Sequence, residues 1–214
     1  MIAEAEEHHR VLMAAQVLRF WPAYMRLEQF VKSREYGAIL SAIFIRRCGL
    51  PDWSRWLIDD SRSGGALLDL LIHDIDQALW LFGYPDRIAA KSLGPVDTTA
   101  ATLIYRSGPE VRIQGGWFAA GTPLSMTFQV RAERAEIELT PQGLYLSNQA
   151  GERKLLDLDA ADPYETELAY FVECCRDNRK PERCMPQDSA RAVKLALLMK
   201  QSRSLGGEPL KCPL

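Results

Sequence analysis

The segment GGALLDLLIHDIDQALWLFG (64–83) has the length of a helix and an unusual distribution of polar side chains. Leucine and isoleucine dominate it, yet Asp69, His73, Asp74 and Asp76 sit among them. At about 100° per residue, Asp69, His73, Asp76 and Trp80 fall on one stripe about 60° wide. Leu67, Leu71, Ile75, Ala78, Leu79 and Phe82 fall mostly opposite, and Leu70 and Ile72 flank the stripe. The spacing predicts a buried helix over 64–83 that carries a polar seam between apolar walls. A nearby carboxylate favours a charged imidazole, while apolar walls disfavour it, so such a histidine can be poised to exchange a proton near neutral pH. The other histidines, His8 and His9, lie together near the N-terminus, so a catalytic imidazole, if there is one, is His73. On the residues alone two readings stay open. His73 is an acid/base, or it is a structural histidine on a packed helix, with Asp76 capping or pairing with an arginine. One histidine with scattered carboxylates is a poor ligand set, so no metal is expected.

Upstream of this helix, VLMAAQV (11–17) is a short apolar run that suits a fully buried strand. Such a strand needs edge partners, which predicts a dimer or larger assembly. RFWPAY (19–24) leads into a helix over about 22–35, and AILSAIFIRR (38–47) has the pattern of a strand. PDWSRWLIDDSRSGG (51–65) reads as a loop. After Gly83 the period becomes two. TTAATLIYR, VRIQGGWF, LSMTFQV, AEIEL and GLYL are short strands separated by the turn signals SGPE, AAGTP and TPQG, which predicts an antiparallel meander. In LSMTFQV, Leu124, Met126, Phe128 and Val130 share one face, and Ser125, Thr127 and Gln129 share the other. That polar face carries no charge until Arg131, which fits either a solvated face or the core of a subunit interface. Helices starting near Pro163 and Asp188 close the chain. Strands grouped with helices in this order make an α+β domain.

Composition narrows the function. The chain has 214 residues, is 47% hydrophobic and 25% charged, and carries a formal net charge of -2. That balance gives no electrostatic case for nucleic acid or an anionic membrane. No apolar run approaches the ~20 residues of a membrane span, and the acidic N-terminus is unlike a secretory signal. The five cysteines form no C-x-x-C pair, which predicts reduced thiols, a cytoplasmic protein and no zinc site.

The pattern GG-A-L-x-D-x-x-x-H-x-x-D, followed by W-L-F-G, resembles the signature of the glucose–fructose oxidoreductase and inositol dehydrogenase family (Gfo/Idh/MocA). RFWPAY resembles the family's R-F-x-P-x-Y, GGWF (115–118) its G-x-W strand, and RKPERCMPQDSARAVKLALLMKQSRSLGGEPL its closing segment. The resemblance covers nearly the whole chain. It implies a dihydrodipicolinate-reductase-like C-terminal domain: an open, mostly antiparallel sheet with helices on one face. In the family that domain shapes the substrate pocket and makes the oligomer contact, while an N-terminal Rossmann domain binds NAD or NADP. Carried over by position, His73 is the acid/base for a substrate hydroxyl and Asp69 orients it. Arg19, Trp53, Trp56 and Asp60 fall on the substrate side for a sugar- or polyol-like ligand. Asp76, grouped with them, matches the later aspartate of the motif, read as structural.

Three departures limit the resemblance. The fourteen glycines include no G-x-G, so the phosphate cradle of a dinucleotide fold is missing. The family's Glu-Lys-Pro is also absent, since Lys180-Pro181 belongs to the closing segment. The turn in RAERAEIEL (131–139) lacks glycines common there. These features predict that residues 1–17 are the end of a nucleotide-binding domain and that 18–214 form the substrate-binding and oligomerisation domain. Such a chain binds no cofactor and is inactive alone, and NAD or NADP belongs to the full-length enzyme. A stand-alone, non-catalytic polyol-binding or dimerisation module is the alternative, as is a nucleotide domain supplied by another polypeptide. A hydrolase built on His73 and Asp69 is disfavoured because no G-x-S-x-G is present.

Overall fold

In the computed structural model, which describes residues 1–94 and 97–213, a nine-stranded open sheet carries the helices on one face. The strands are β1 (Ile39–Gly49), β2 (Arg87–Ser92), β3 (Thr98–Ile104), β4 (Glu110–Phe118), β5 (Ser125–Ala132), β6 (Ala135–Thr140), β7 (Gly143–Asn148), β8 (Arg153–Leu155) and β9 (Leu210–Lys211). Their spatial order is β8-β7-β6-β5-β1-β4-β3-β2-β9. Every neighbouring pair is antiparallel except β1 with β4. The α+β expectation therefore holds. The meander is interrupted, however, because β1 inserts between β4 and β5.

The period-two pattern sets the faces. On β1, Ala42, Phe44 and Arg46 are buried toward the helices, while Ile43 and Ile45 point to the other face. Met126, Phe128 and Val130 of β5 also point inward. Leu124, expected on that face, precedes β5 and is 62% exposed.

The helices are α1 (Ile2–Glu7), α2 (Pro22–Ser33), the short turns α3 (Arg55–Ile58), α4 (Asp60–Ser63) and α5 (Ala66–Asp69), then α6 (Ile72–Phe82), α7 (Pro163–Arg176) and α8 (Pro186–Ser204). Pro22 and Pro163 stand in the first turns of α2 and α7, where a missing N–H costs nothing. Asp162 caps α7 by accepting from the N–H groups of Tyr164 (2.8 Å) and Glu165 (3.1 Å). On α2, Ala23, Tyr24, Leu27, Phe30 and Val31 are buried, the spacing of an amphipathic helix. On α8, Ala192, Leu195, Ala196, Met199 and Ser202 form a narrow buried stripe, and its alanines allow close approach to α6 and β2.

Three expectations are corrected. Residues 11–17 form no strand: 11–16 are irregular, and Val17 begins a 3-10 turn, Val17–Phe20. Among the described residues no strand lies beside this segment, and apolar character alone cannot supply the ladder partners a strand needs. The argument for assembly from an unpaired edge at 11–17 falls with it. The helix expected over 64–83 is broken at Leu70-Leu71 into α5 and α6. The loop expected at 51–65 also contains the turns α3 and α4.

Candidate functional site around helix α6

Three polar groups on α6 divide into two buried ion pairs and one half-open imidazole. Asp76 is 1% exposed and Arg19 is 2% exposed. Arg19 donates Nε to Oδ2 at 2.8 Å and Nη2 to Oδ1 at 2.7 Å, a bidentate pair. Its remaining nitrogen, Nη1, donates to the Arg183 carbonyl (2.7 Å) and to Asp188 Oδ2 (3.2 Å). Burial opposes charge on this guanidinium, and the bonds and charge of Asp76 more than offset it, so Arg19 stays cationic. Arg183 returns the contact by donating Nε to the Arg19 carbonyl (2.8 Å), and it also bridges to Glu28 at 2.7 Å. The two segments that resembled family motifs, 19–24 and 179–210, are thus clasped to each other across α6.

The second pair was not anticipated. Asp74, fully buried, accepts from Arg46 Nε (2.7 Å) and Nη2 (3.1 Å). Alternation on β1 carried the signal, because it places Arg46 on the same inward face as Ala42 and Phe44. A buried arginine calls for a carboxylate, and the sequence does not say which one.

His73 lies between these pairs on α6, half-buried. Its Nδ1 is buried without a hydrogen-bond partner, while Nε2 is not among the buried nitrogens. Burial pushes its pKa down, Arg46 pushes the same way and Asp74 opposes. The environment therefore favours the neutral imidazole, the form that accepts a proton. Asp69 ends up on α5, exposed, beyond the break at Leu70-Leu71, and no hydrogen bond joins it to His73 among the described residues. Partial desolvation raises its carboxyl above the usual range.

The remaining expected residues form a separate group. Trp53 is 80% exposed and Trp56 48% exposed, on the segment 51–65. Asp60, in α4, accepts from Lys200 of α8 at 2.7 Å and borders a pocket of about 370 Å³ with Leu50, Ile58, Asp97, Trp117 and Arg203. Asp97 Oδ2 accepts from Ala66 N–H (2.7 Å), and Arg203 bridges to the same carboxylate. The structure thus joins Arg19 with Asp76 inside the protein. It does not join Asp69 with His73, and it leaves the tryptophans free at the surface. Among the described residues no group of three or more His, Cys, Asp or Glu is placed to hold a metal. All five cysteines are free.

The profile of the GFO/IDH/MocA C-terminal domain matches residues 24–138, more than half of the chain. The chain belongs to the GFO/IDH/MocA family. D-xylose 1-dehydrogenase (NADP(+)) 2 from Haloferax volcanii is 29% identical over 136 residues, which are 61% of this chain and 41% of that protein. The chain thus spans well under half of that relative. Its fold matches the aldose-aldose oxidoreductase from Caulobacter crescentus solved with glycerol, with a TM-score of 0.84 at 17% identity over 99% of this chain and 67% of that one. It also matches a levoglucosan dehydrogenase solved with NADH and levoglucosan, with a TM-score of 0.83 at 17% identity over 99% of this chain and 69% of that one. No helix of the described residues is long and apolar enough to cross a membrane.

Proposed function

We propose that this chain is the substrate-side and oligomerisation domain of an NAD(P)-dependent oxidoreductase acting on a hydroxyl or carbonyl of a sugar- or polyol-like substrate. The observation that carries the reading is His73. It stands at the D-x-x-x-H position of the motif, its surroundings favour the neutral form, and the ring is half-buried, with Nε2 not among the buried atoms left without a partner. In this reading Nε2 accepts the proton of a substrate hydroxyl. Asp69, on the turn before, favours through its charge the imidazolium that forms, and Trp53 and Trp56 offer apolar faces for a sugar ring. Arg19 and Asp76 act from inside by holding α6 in place. Hydride chemistry needs a nicotinamide held against the substrate carbon. The residues of this chain do not fit that role, because no G-x-G-x-x-G stands at a helix N-terminus to cradle a pyrophosphate. The cofactor site, and residues 1–17 as its boundary, belong to a nucleotide-binding domain outside 18–214. Five free thiols fit a reducing cytoplasm.

A two-dimensional amide and indole NMR titration tests this division of labour. Millimolar D-xylose is expected to shift the indole signals of Trp53 and Trp56 and the His73 imidazole, while NADH alone shifts nothing. Micromolar NADH binding by the chain would overturn the division. Silence toward sugars would overturn the substrate role and favour a dimerisation module.

The open sheet face supports the oligomer role. Across one row, Ala100, Gln114, Ile45 and Thr127 are in register, with no charge among them. In the adjacent row Ile43 lies between Arg112 and Gln129, and Gln129 pairs with Glu138, so charge stands at the flanks. An uncharged centre with a charged rim is the composition of a subunit interface. Sedimentation velocity at micromolar concentration is expected to show a dimer or larger species, and Ile45→Glu a monomer. A wild-type monomer would sink the assignment.

A further inference from the structure

The imidazole of His73 has two distinct sides. Nδ1 is buried with no partner, and the polar groups packed around it are already committed: Arg46 and Asp74 hydrogen-bond each other in a bidentate pair. One turn further along α6 stands Gln77, which is 1% exposed, with both Nε2 and Oε1 of its amide buried and unpartnered. On a helix, residues four apart share a face with Cβ atoms about 5–6 Å from each other. A glutamine side chain spans that gap directly or through one water. Buried polar groups are almost always hydrogen-bonded, and leaving one unpaired costs about 1–3 kcal/mol. Two sets of unsatisfied groups one turn apart on one buried face are therefore natural partners. The third polar group on this stripe, Trp80, packs its ring against two cations, Arg19 Cζ at 4.2 Å and Lys32 Nζ at 3.8 Å from the ring centroid. Its indole can donate but cannot accept, so it cannot take a proton from Nδ1.

We propose that Gln77 is the positioning residue for His73: its amide oxygen accepts from Nδ1–H, which fixes the tautomer whose Nε2 lone pair faces the substrate side. Neutral imidazole has one donor and one acceptor nitrogen, and the bond made by one decides the role of the other. Without a fixed acceptor at Nδ1, both tautomers are populated and Nε2 carries the proton much of the time, which disables it as a base. The inference rests on the reading of His73 as the acid/base. Tyr24 is the rival acceptor, because its hydroxyl is buried, unpartnered and influenced by both Arg46 and Asp74.

Long-range proton–nitrogen correlation spectra of the uniformly 15N-labelled chain at mildly alkaline pH test the proposal. The chain holds only three imidazoles, and His8 and His9 are exposed, so His73 is resolved by deleting its signals with His73→Gln. The wild type is expected to show the Nδ1–H pattern, with an acceptor-type Nε2 resonance. Gln77→Leu is expected to lose that resonance in favour of the Nε2–H pattern, Gln77→Glu to retain it, and Tyr24→Phe to leave it unchanged. An Nε2–H pattern in the wild type would overturn the proposal even if Gln77→Leu failed to fold. So would an unchanged pattern in a folded Gln77→Leu, or a change in Tyr24→Phe. The spectra require neither sugar nor cofactor, so failure of the dehydrogenase reading would show in the sugar titration and leave this result standing.

Discussion

Replacing Asp76 with alanine is expected to destabilise the protein by about 3–5 kcal/mol, the cost of stripping the partner from a buried charge. Arg19 is 2% exposed and donates two of its four hydrogen bonds to Asp76. With Asp76 gone, the guanidinium keeps only a carbonyl and the more distant Asp188, whose side chain is 27% exposed. A domain of this size has a net stability of about 5–15 kcal/mol, so the loss is a large share of it. Urea unfolding followed by tryptophan fluorescence measures it. The double variant Arg19→Leu/Asp76→Leu is expected to recover most of the loss, since an apolar pair replaces a desolvated ionic one at little cost. A loss under about 1 kcal/mol in Asp76→Ala would show that the pair is not what holds α6 to the 3-10 turn.

Gly115→Ala is expected to be at least as damaging, with a cost of about 4 kcal/mol or more, or no soluble product. Gly115 pairs with Arg46 across the one parallel contact of the sheet, at φ 147°. A Cβ there would overlap the Arg46 carbonyl oxygen and lie 2.8 Å from its carbon and 3.1 Å from the Arg46 nitrogen. Those atoms are backbone in the middle of β1 and cannot swing aside. Gly116, at φ 129°, meets the Asp97 carbonyl in the same way on the β3 side. The two glycines in GGWF thus let β4 lie close to both neighbours. Displacing β1 also moves Arg46 away from Asp74, so the damage reaches the helix that carries His73. Circular dichroism and thermal unfolding report it. A Gly115→Ala protein that unfolds within about 1 kcal/mol of wild type would mean that β1 and β4 are not this close.

Local periodicity made much of this molecule legible. The alternation in LSMTFQV sorted Met126, Phe128 and Val130 inward because a strand has only two faces. The helical spacing of 64–83 placed Ile75 and Ala78 on a buried side, while the burial of Asp74, Asp76 and Gln77 depends on what packs against α6. The family motif located His73 without any structure. The break at Leu70-Leu71 was not legible, because Leu70 and Leu71 suit a continuous helix. Asp97 caps Ala66 at the start of α5 and Arg203 holds that carboxylate, contacts from outside the segment that carry no local signal. The apolar run 11–17 failed as a strand for the opposite reason: its composition was right, and no strand pairs with it among the described residues.

The amino-acid order thus settled the class of the fold and the inward side of Met126, Phe128 and Val130, and it singled out His73 as the candidate, since each depends on spacing along a few turns or pleats. Pairing between distant segments lay beyond it. That β1 would slide between β4 and β5, that Arg19 would choose Asp76 and Arg46 would choose Asp74, and that His73 would keep Nδ1 buried, all depend on contacts between residues far apart in the chain or on which side of a helix is covered. Such choices are made by burial, because a charge or an unpaired polar group removed from water must find its partner wherever the fold brings one.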